Sequence, residues 1–397
     1  MKPRPYKLKN DIQNYPWGTK DDAAYLADLL GTPPEPGVPY AELWMGSHPN
    51  SPSKILLDDS EKPLDEFIKS DADSILGKKV ASRFKGQLPF LFKVLSVAEP
   101  LSIQTHPNKE QAALLHSAES FNYPDNNHKP EIVIAISKID ILWGFKSVES
   151  IKNFCTEYAE IAEFIGKEKF DKIFETANNP LKEFYLALVG KALSDKDGYR
   201  QLLQTIRDRL REKTGNKSEN LFLRLYDRYN ADVGLITIFF LNYLELNPGE
   251  AIYTPSGVPH AYLSGNVIEC MANSNNVLRA GLTSKFVDVK NLLKVLKYES
   301  LEIKLIKPKI SRNRSEYRTE AEEFKVIKFD TLRKNKIKLT PGSQPSIFLL
   351  IEGSAVLKWK GGEIELEKGE SVFIPASLGS TQLDSGFASG YLATVNL

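Results

Sequence analysis

The stretch "LSIQTHP" at residues 101–107 places Ser102, Gln104 and His106 at every second position. That is strand spacing, so three hydrogen-bonding side chains share one face while Leu101, Ile103 and Thr105 share the other. A polar face of this kind can simply look into water, as in any half-buried strand. It can also look inward, because Gln104 and His106 stand about 7 Å apart along the strand, close enough to converge on one ion. Glu131 opens the apolar run "EIVIAIS", and a carboxylate at the mouth of a β-rich interior needs a partner to offset its desolvation. His260 follows a glycine and two prolines in "TPSGVPHAYLSG", a loop stiff enough to hold an imidazole still for a metal. Gln104, His106, Glu131 and His260 form a mixed N/O set that suits Zn²⁺ and equally accommodates Mn²⁺, Fe²⁺ or Co²⁺. The remaining histidines, His48, His116 and His128, start as hydrogen-bonded structural residues.

Residues 1 to about 145 must supply most of the strands that position this set, since short apolar runs such as "LPFLFKVLSV" and "EIVIAIS" alternate there with Pro- and Gly-rich turns. Between about 147 and 230 the pattern changes to charged segments with apolar residues at helical spacing, as in "GYRQLLQTIRDRLREKT", which predicts a helical insertion. The cations Arg207, Arg209, Arg211 and Lys213 are interleaved with Asp208 and Glu212, the pattern of a solvated helix face. Strands return after about 231, and "SRNRSEYRTEAEE" (311–323) reads as a polar linker before the last β segment.

Two late segments repeat each other. "LELNPGEAIYTPSGVPH" and "IELEKGESVFIPASLGS" align Leu246 with Leu366, Gly249 with Gly369, Glu250 with Glu370 and Pro255 with Pro375. A repeated strand–turn–strand unit suits two antiparallel barrels in one chain. At the same offset Ser380 stands where the first copy has His260, and no histidine follows residue 260, so only one barrel has imidazole chemistry.

Composition sets outer bounds. The 397 residues call for two or three domains, and 52 Lys plus Arg against 51 Asp plus Glu leave no excess that would favour nucleic acid or an anionic membrane as main partner. Two distant cysteines, Cys155 and Cys270, fit a reducing compartment. The N-terminus lacks an apolar signal core, and the longest apolar run, "VGLITIFFL", is half a membrane span, so a cytoplasmic protein is expected.

The motifs "LSIQTHPNKEQAALLH", "YPDNNHKPE" and "HAYLSGNVIECMANSNNVLRAGLTSK", together with "YPWG" and "AELWMGSHP", resemble the signatures of type I phosphomannose isomerases. The resemblance spans the chain. It implies a mainly β fold with a helical insertion and two cupin (jelly-roll) barrels, the first metal-binding and the second without ligands. Expected limits are residues 1–146 and 231–310 for the catalytic cupin, 147–230 for the insertion and 311–397 for the metal-free cupin. It also implies one Zn²⁺ on Gln104, His106, Glu131 and His260, a sugar-phosphate substrate, and a monomer. Family site residues outside the metal set fall on Trp17, Lys93, Ser102, Lys129, Glu269, Arg279 and Lys285. In two places the chain departs from the family pattern: Asn275 replaces an aspartate in "NSNN", and Ser284 replaces a proline in "TSK". A proton-transfer role for that aspartate does not carry over.

The implied reaction, an aldose–ketose isomerisation between mannose 6-phosphate and fructose 6-phosphate, needs a base, a device for the developing oxyanion and a grip on phosphate. Glu269 is the first choice as base, with Lys93 or Lys129, depressed by a nearby metal, as alternatives. Arg279 and Lys285 are assigned to phosphate or to the reacting end, and Ser102 and Trp17 to substrate contact. Two other classes stay open: a cupin Fe(II) oxygenase, and a non-catalytic sugar-phosphate-binding cupin, for which Asn275 speaks.

Overall fold

In a computed structural model, residues 3–331, 335–340 and 343–397 are described. The architecture is mainly antiparallel β-sheet with helices. There are two large sheets, and among the described residues no circuit of strand pairing closes either one.

The first sheet runs in the order Leu241–Leu246, Ile139–Phe145, His260–Ala272, Phe90–Val97, Glu42–Gly46 and Ile12–Gln13. Its organising element is the long strand His260–Ala272, which changes partners along its length. Residues 260–264 pair with residues 140–143, and residues 265–272 pair with Phe90–Val97 on one side while residues 267–271 pair with Glu131–Ala135 on the other. The change happens at an irregularity between Tyr262 and Ser264. Gly265 follows at φ +112°, where a Cβ would lie 2.5 Å from the carbonyl oxygen of Lys138. Only glycine fits so close an approach with a positive φ.

The extra residue at a bulge reverses side-chain parity. Tyr262 before it and Val267 after it therefore join one apolar cluster with Leu95 and Trp143. Ile268 and Cys270 face the opposite way, into a cluster with Phe92 and Val94 that is completed by Leu349, Phe373 and Tyr391 of the second sheet. That cluster is the dry layer between the sheets, and its side chains are almost wholly buried.

The second sheet gathers the C-terminal strands, and the N-terminal strand Tyr6–Lys9 enters it by pairing with Ser371–Ile374. Residues 1–146 thus contribute to both sheets, and they also contain short helices over 64–83 and the helix Lys109–Ala118. The polar segment 311–323 is not a linker. Lys309–Ser311 and Arg314–Tyr317 form a hairpin on the edge of this sheet, because Tyr317 buries its ring while Glu316 is held by Arg314 and Arg318. Polar composition hid a strand whose charges neutralise one another.

The repeat is reproduced in three dimensions. Gly249 and Gly369 take φ +88° and +85°, and the Glu250 and Glu370 carboxylates each accept the backbone N–H three residues earlier, at 2.7 and 2.9 Å.

Six helices follow one another between Val148 and Tyr229, opened by side-chain caps such as Ser147, Asn179 and Asn216. Their apolar faces share a cluster with Leu278, Ala280 and Leu282. Arg209 and Lys213 pair at the surface with Glu160 and Glu157, and Arg207 with its neighbour Asp208. The greasy run from Val233 is a short buried helix that leads into the strand Leu241–Leu246.

Candidate active site and metal centre

Ile103–Thr105 is a short strand held between two others. Gln104 stands opposite His260 on one side and Arg279 on the other. His106 leaves the end of that strand, Glu131 opens its own strand opposite Thr254 and Met271, and His260 begins the long strand. These three chain-distant residues converge. One ligand atom from each of His106, Glu131 and His260 lies within 4.8 Å of the others, and all three residues are buried.

The hydrogen-bond chemistry tests whether a cation fits. His106 Nδ1 donates to the Asn276 carbonyl at 2.7 Å and His260 Nδ1 to the Val258 carbonyl at 3.1 Å. A carbonyl can only accept, so both protons sit on Nδ1 and both Nε2 lone pairs point inward. Each Nε2 is 3.2 Å from a Glu131 oxygen, yet neither makes a hydrogen bond. Two orphaned lone pairs facing a carboxylate repel unless a cation lies among them, so the donor set fits a divalent metal. Gln104, partly buried, lines the same cavity and has a side-chain oxygen to offer.

Burial pushes the His106 pKa down to about 4, helped by the Lys129 charge. For Glu131 burial acts upward, but the Lys129 charge opposes it and the carboxyl is held well below its usual range. Tyr262 adds a hydrogen bond from its hydroxyl to Glu131 at 3.1 Å.

Glu131 and Gln104 line a cavity of about 830 Å³. Lys93 and Glu269 sit directly opposite each other on paired strands, and the Lys93 ammonium bridges Glu269 at 3.0 Å and Glu42 at 3.2 Å above the Trp44 ring. Burial alone would lower the Lys93 pKa, but Glu269, Glu42 and Glu131 together raise it. Glu269 is raised, first by burial and then by the Glu131 charge, against the pull of Lys93. Lys129 contacts Glu131 at 3.1 Å.

Arg279 lines the same cavity from the strand position opposite Gln104. It is partly buried, has no hydrogen-bond or ion-pair partner among the described residues, and burial lowers its pKa. Lys285 is exposed, 5.7 Å above the Tyr15 ring, and that ring stacks on Trp17 at 5.9 Å. Ser102 and Trp17 both line the cavity. So do Asn275 and Ser284, the two departures from the family pattern.

Several residues that line or support the site were not among those assigned to it from the sequence. Asp125 accepts from Ser274 Oγ, Asn275 N and Asn276 Nδ2 at 2.7 to 3.0 Å, and thereby fixes the "NSNN" turn whose Asn276 carbonyl orients His106. Glu42, Tyr15 and Tyr262 also belong here, as do Arg228 and Tyr229 from the end of the helical insertion. The only sequence signal for Asp125 was its place inside "YPDNNHKPE". His48, packed on Trp44, has its pKa lowered to about 4 by burial and the nearby lysines. His128 binds Glu323 at 2.8 Å, and His116 the Tyr123 carbonyl at 2.6 Å.

The catalytic-domain model of phosphomannose isomerase type I matches residues 6–148, and the mannose-6-phosphate isomerase cupin-domain model matches 314–392. Mannose-6-phosphate isomerase 2 of Arabidopsis thaliana is 35% identical over 94% of this chain and 89% of that protein. The Homo sapiens mannose-6-phosphate isomerase is 37% identical over 94% of each. Among solved structures, an arginine-to-alanine variant of Salmonella typhimurium phosphomannose isomerase superposes with a TM-score of 0.88 at 32% identity, covering 99% of this chain and 100% of that one. A zinc-bound mannose 6-phosphate isomerase gives 0.87 at 32% identity, with the same coverage.

Proposed function

The chain belongs to the type I phosphomannose isomerase family, and from that premise we propose that it interconverts mannose 6-phosphate and fructose 6-phosphate with one Zn²⁺ on Gln104, His106, Glu131 and His260. One observation carries the reading. Glu131 of a buried His–Glu–His group with orphaned nitrogens lines the same cavity as Gln104, Arg279 and Lys285, and the last two are cations that have no carboxylate partner among the described residues. The cavity thus has a metal end suited to sugar oxygens and an outer end suited to an anion.

When bound, the metal supplies positive charge that polarises the sugar oxygens at C1 and C2. The chain's own residues do the rest. The proton moves between C1 and C2 through an enediol. Glu269 is the favoured base, since burial raises its proton affinity and the Lys93 ammonium at 3.0 Å keeps the carboxylate form accessible. Lys93 and Lys129 are the alternatives, each now held by carboxylates. Arg279 stabilises charge at the reacting end or the phosphate, Lys285 takes the phosphate, and Ser102 and Trp17 orient the sugar. Asn275 carries no carboxylate and takes no proton.

The same reading assigns residues 1–146 and 231–310 to a catalytic cupin, 147–230 to a helical insertion and 311–397 to a metal-free cupin. Each sheet is read as a jelly roll, which the matched turns at Gly249 and Gly369 support. No described helix is long and apolar enough to cross a membrane. A net charge of +1 and two free cysteines are consistent with a cytoplasmic monomer that takes neither nucleic acid nor lipid.

The test is turnover of mannose 6-phosphate in a coupled assay, before chelation, after chelation and after Zn²⁺ is restored. Full activity in protein verified as metal-free would sink the metal assignment. No turnover in the zinc-loaded protein would sink the isomerase.

A further inference from the structure

We propose that Arg228, supplied by the helical insertion, is a specificity-determining residue that joins Arg279 and Lys285 in gripping the phosphate of the substrate. The inference rests on the isomerase reading and extends it to an element otherwise seen as scaffold. The helix Lys217–Tyr229 ends at the cavity, where Arg228 and Tyr229 line the wall.

Asp232 fixes that helix end against the opposite rim. Its N–H donates to the Tyr229 carbonyl at 3.0 Å, and its partly buried carboxylate accepts Gly234 N at 2.6 Å, Leu282 N at 2.8 Å and Thr283 N at 3.4 Å. The backbones touch, since a Cβ added to Gly281 would lie 2.2 Å from Gly234 N. The helix end and the 281–283 segment are therefore tied together by hydrogen bonds and close backbone approach, and three cations, Arg228, Arg279 and Lys285, line one cavity.

Charge distribution decides where a dianion goes. The inner cations are taken: Lys93 is held by Glu269 and Glu42, and Lys129 by Glu131, at 3.0 to 3.2 Å. Arg279 and Lys285 are free of carboxylates among the described residues. Among the described residues Arg228 has a single ionic partner, Glu99, at 3.3 Å, with both side chains half exposed. Exposed pairs of this kind contribute little to stability, whereas an arginine–phosphate contact is charge-assisted and can be bidentate. Arg228 thus stands at the mouth with a weak counter-ion that a phosphate displaces.

The experiment compares zinc-loaded wild type with Arg228→Ala and Glu99→Gln, reading kcat and KM on mannose 6-phosphate, and inorganic phosphate binding by calorimetry. Arg228→Ala should raise KM about five- to thirtyfold with kcat within about twofold, and should weaken phosphate binding by a similar factor. Glu99→Gln should leave phosphate binding equal or tighter. Unchanged KM and phosphate affinity in Arg228→Ala would overturn the proposal, as would a Glu99→Gln variant as impaired as Arg228→Ala. A wild type that does not turn over mannose 6-phosphate sinks the isomerase reading alone, because the phosphate titrations still decide the role of Arg228.

Discussion

Arg279 offers a prediction in which activity and stability part company. Its guanidinium is partly buried and has no hydrogen-bond or ion-pair partner among the described residues, and its pKa is lowered by burial alone. Replacing it breaks no protein contact of that kind, so the folding cost should be small. For Arg279→Met, which keeps the aliphatic stem and removes an unpaired charge, stability should change by less than about 1 kcal/mol, and an increase is the expected sign. Function should respond quite differently. Arg279→Lys keeps the charge and loses the bidentate geometry, at about 2 to 4 kcal/mol in a water-poor cavity, so kcat/KM should fall about 30- to 1,000-fold. The assay pairs steady-state kinetics on mannose 6-phosphate with thermal melts and zinc analysis of each variant. Equal losses in kcat and kcat/KM place Arg279 on the developing oxyanion, and a raised KM alone places it on the phosphate. Wild-type kinetics in Arg279→Lys, or a melt of Arg279→Met lowered by more than about 2 kcal/mol, would refute the reasoning.

Other expectations follow from the same geometry. His106→Ala and His260→Ala should each purify without stoichiometric zinc and without activity; a fully loaded, active variant would remove that residue from the metal set. Asn275→Asp should alter the rate by less than about tenfold, or roughly 1.4 kcal/mol, because Asn275 departs from the family pattern in an otherwise intact site; creation of activity in a dead wild type would favour the non-catalytic cupin. Burial acts upward on the Glu323 carboxyl, but His128 and Lys109 lower its pKa to about 2 from 4.5. A depressed folded-state pKa stabilises above the unfolded value and is lost as pH falls through the folded one. Glu323→Gln should therefore cost on the order of 3 kcal/mol at pH 6 and almost nothing near pH 2, read from denaturation midpoints between those limits. A pH-independent difference would contradict it.

How far the fold was legible depended on whether a feature was local. Gln104 and His106 could be placed on one face from spacing, and the folded chain brings His106, Glu131 and His260 within ligand distance. The insertion was visible because helical periodicity persists over many turns. The 309–317 hairpin was not, since Glu316 with Arg314 and Arg318 reads as solvated polarity until a tertiary contact buries it. Asp125 and Asp232 were equally hidden. Each serves backbone N–H groups 50 or more residues away, and a carboxylate's backbone clients leave no trace in composition.

The irregularity between Tyr262 and Ser264 works as a ruler of chain length. Tyr262 lies an odd number of residues from Glu269, and both line the cavity only because the bulge absorbs one position. A single insertion or deletion between them would swap the faces of everything downstream, turning Cys270 toward the substrate and driving Glu269 into the dry layer between the sheets. Substitutions here can drift, but indels cannot. Across descendants of this chain, the interval from Tyr262 to Glu269 should keep its length even where its letters change.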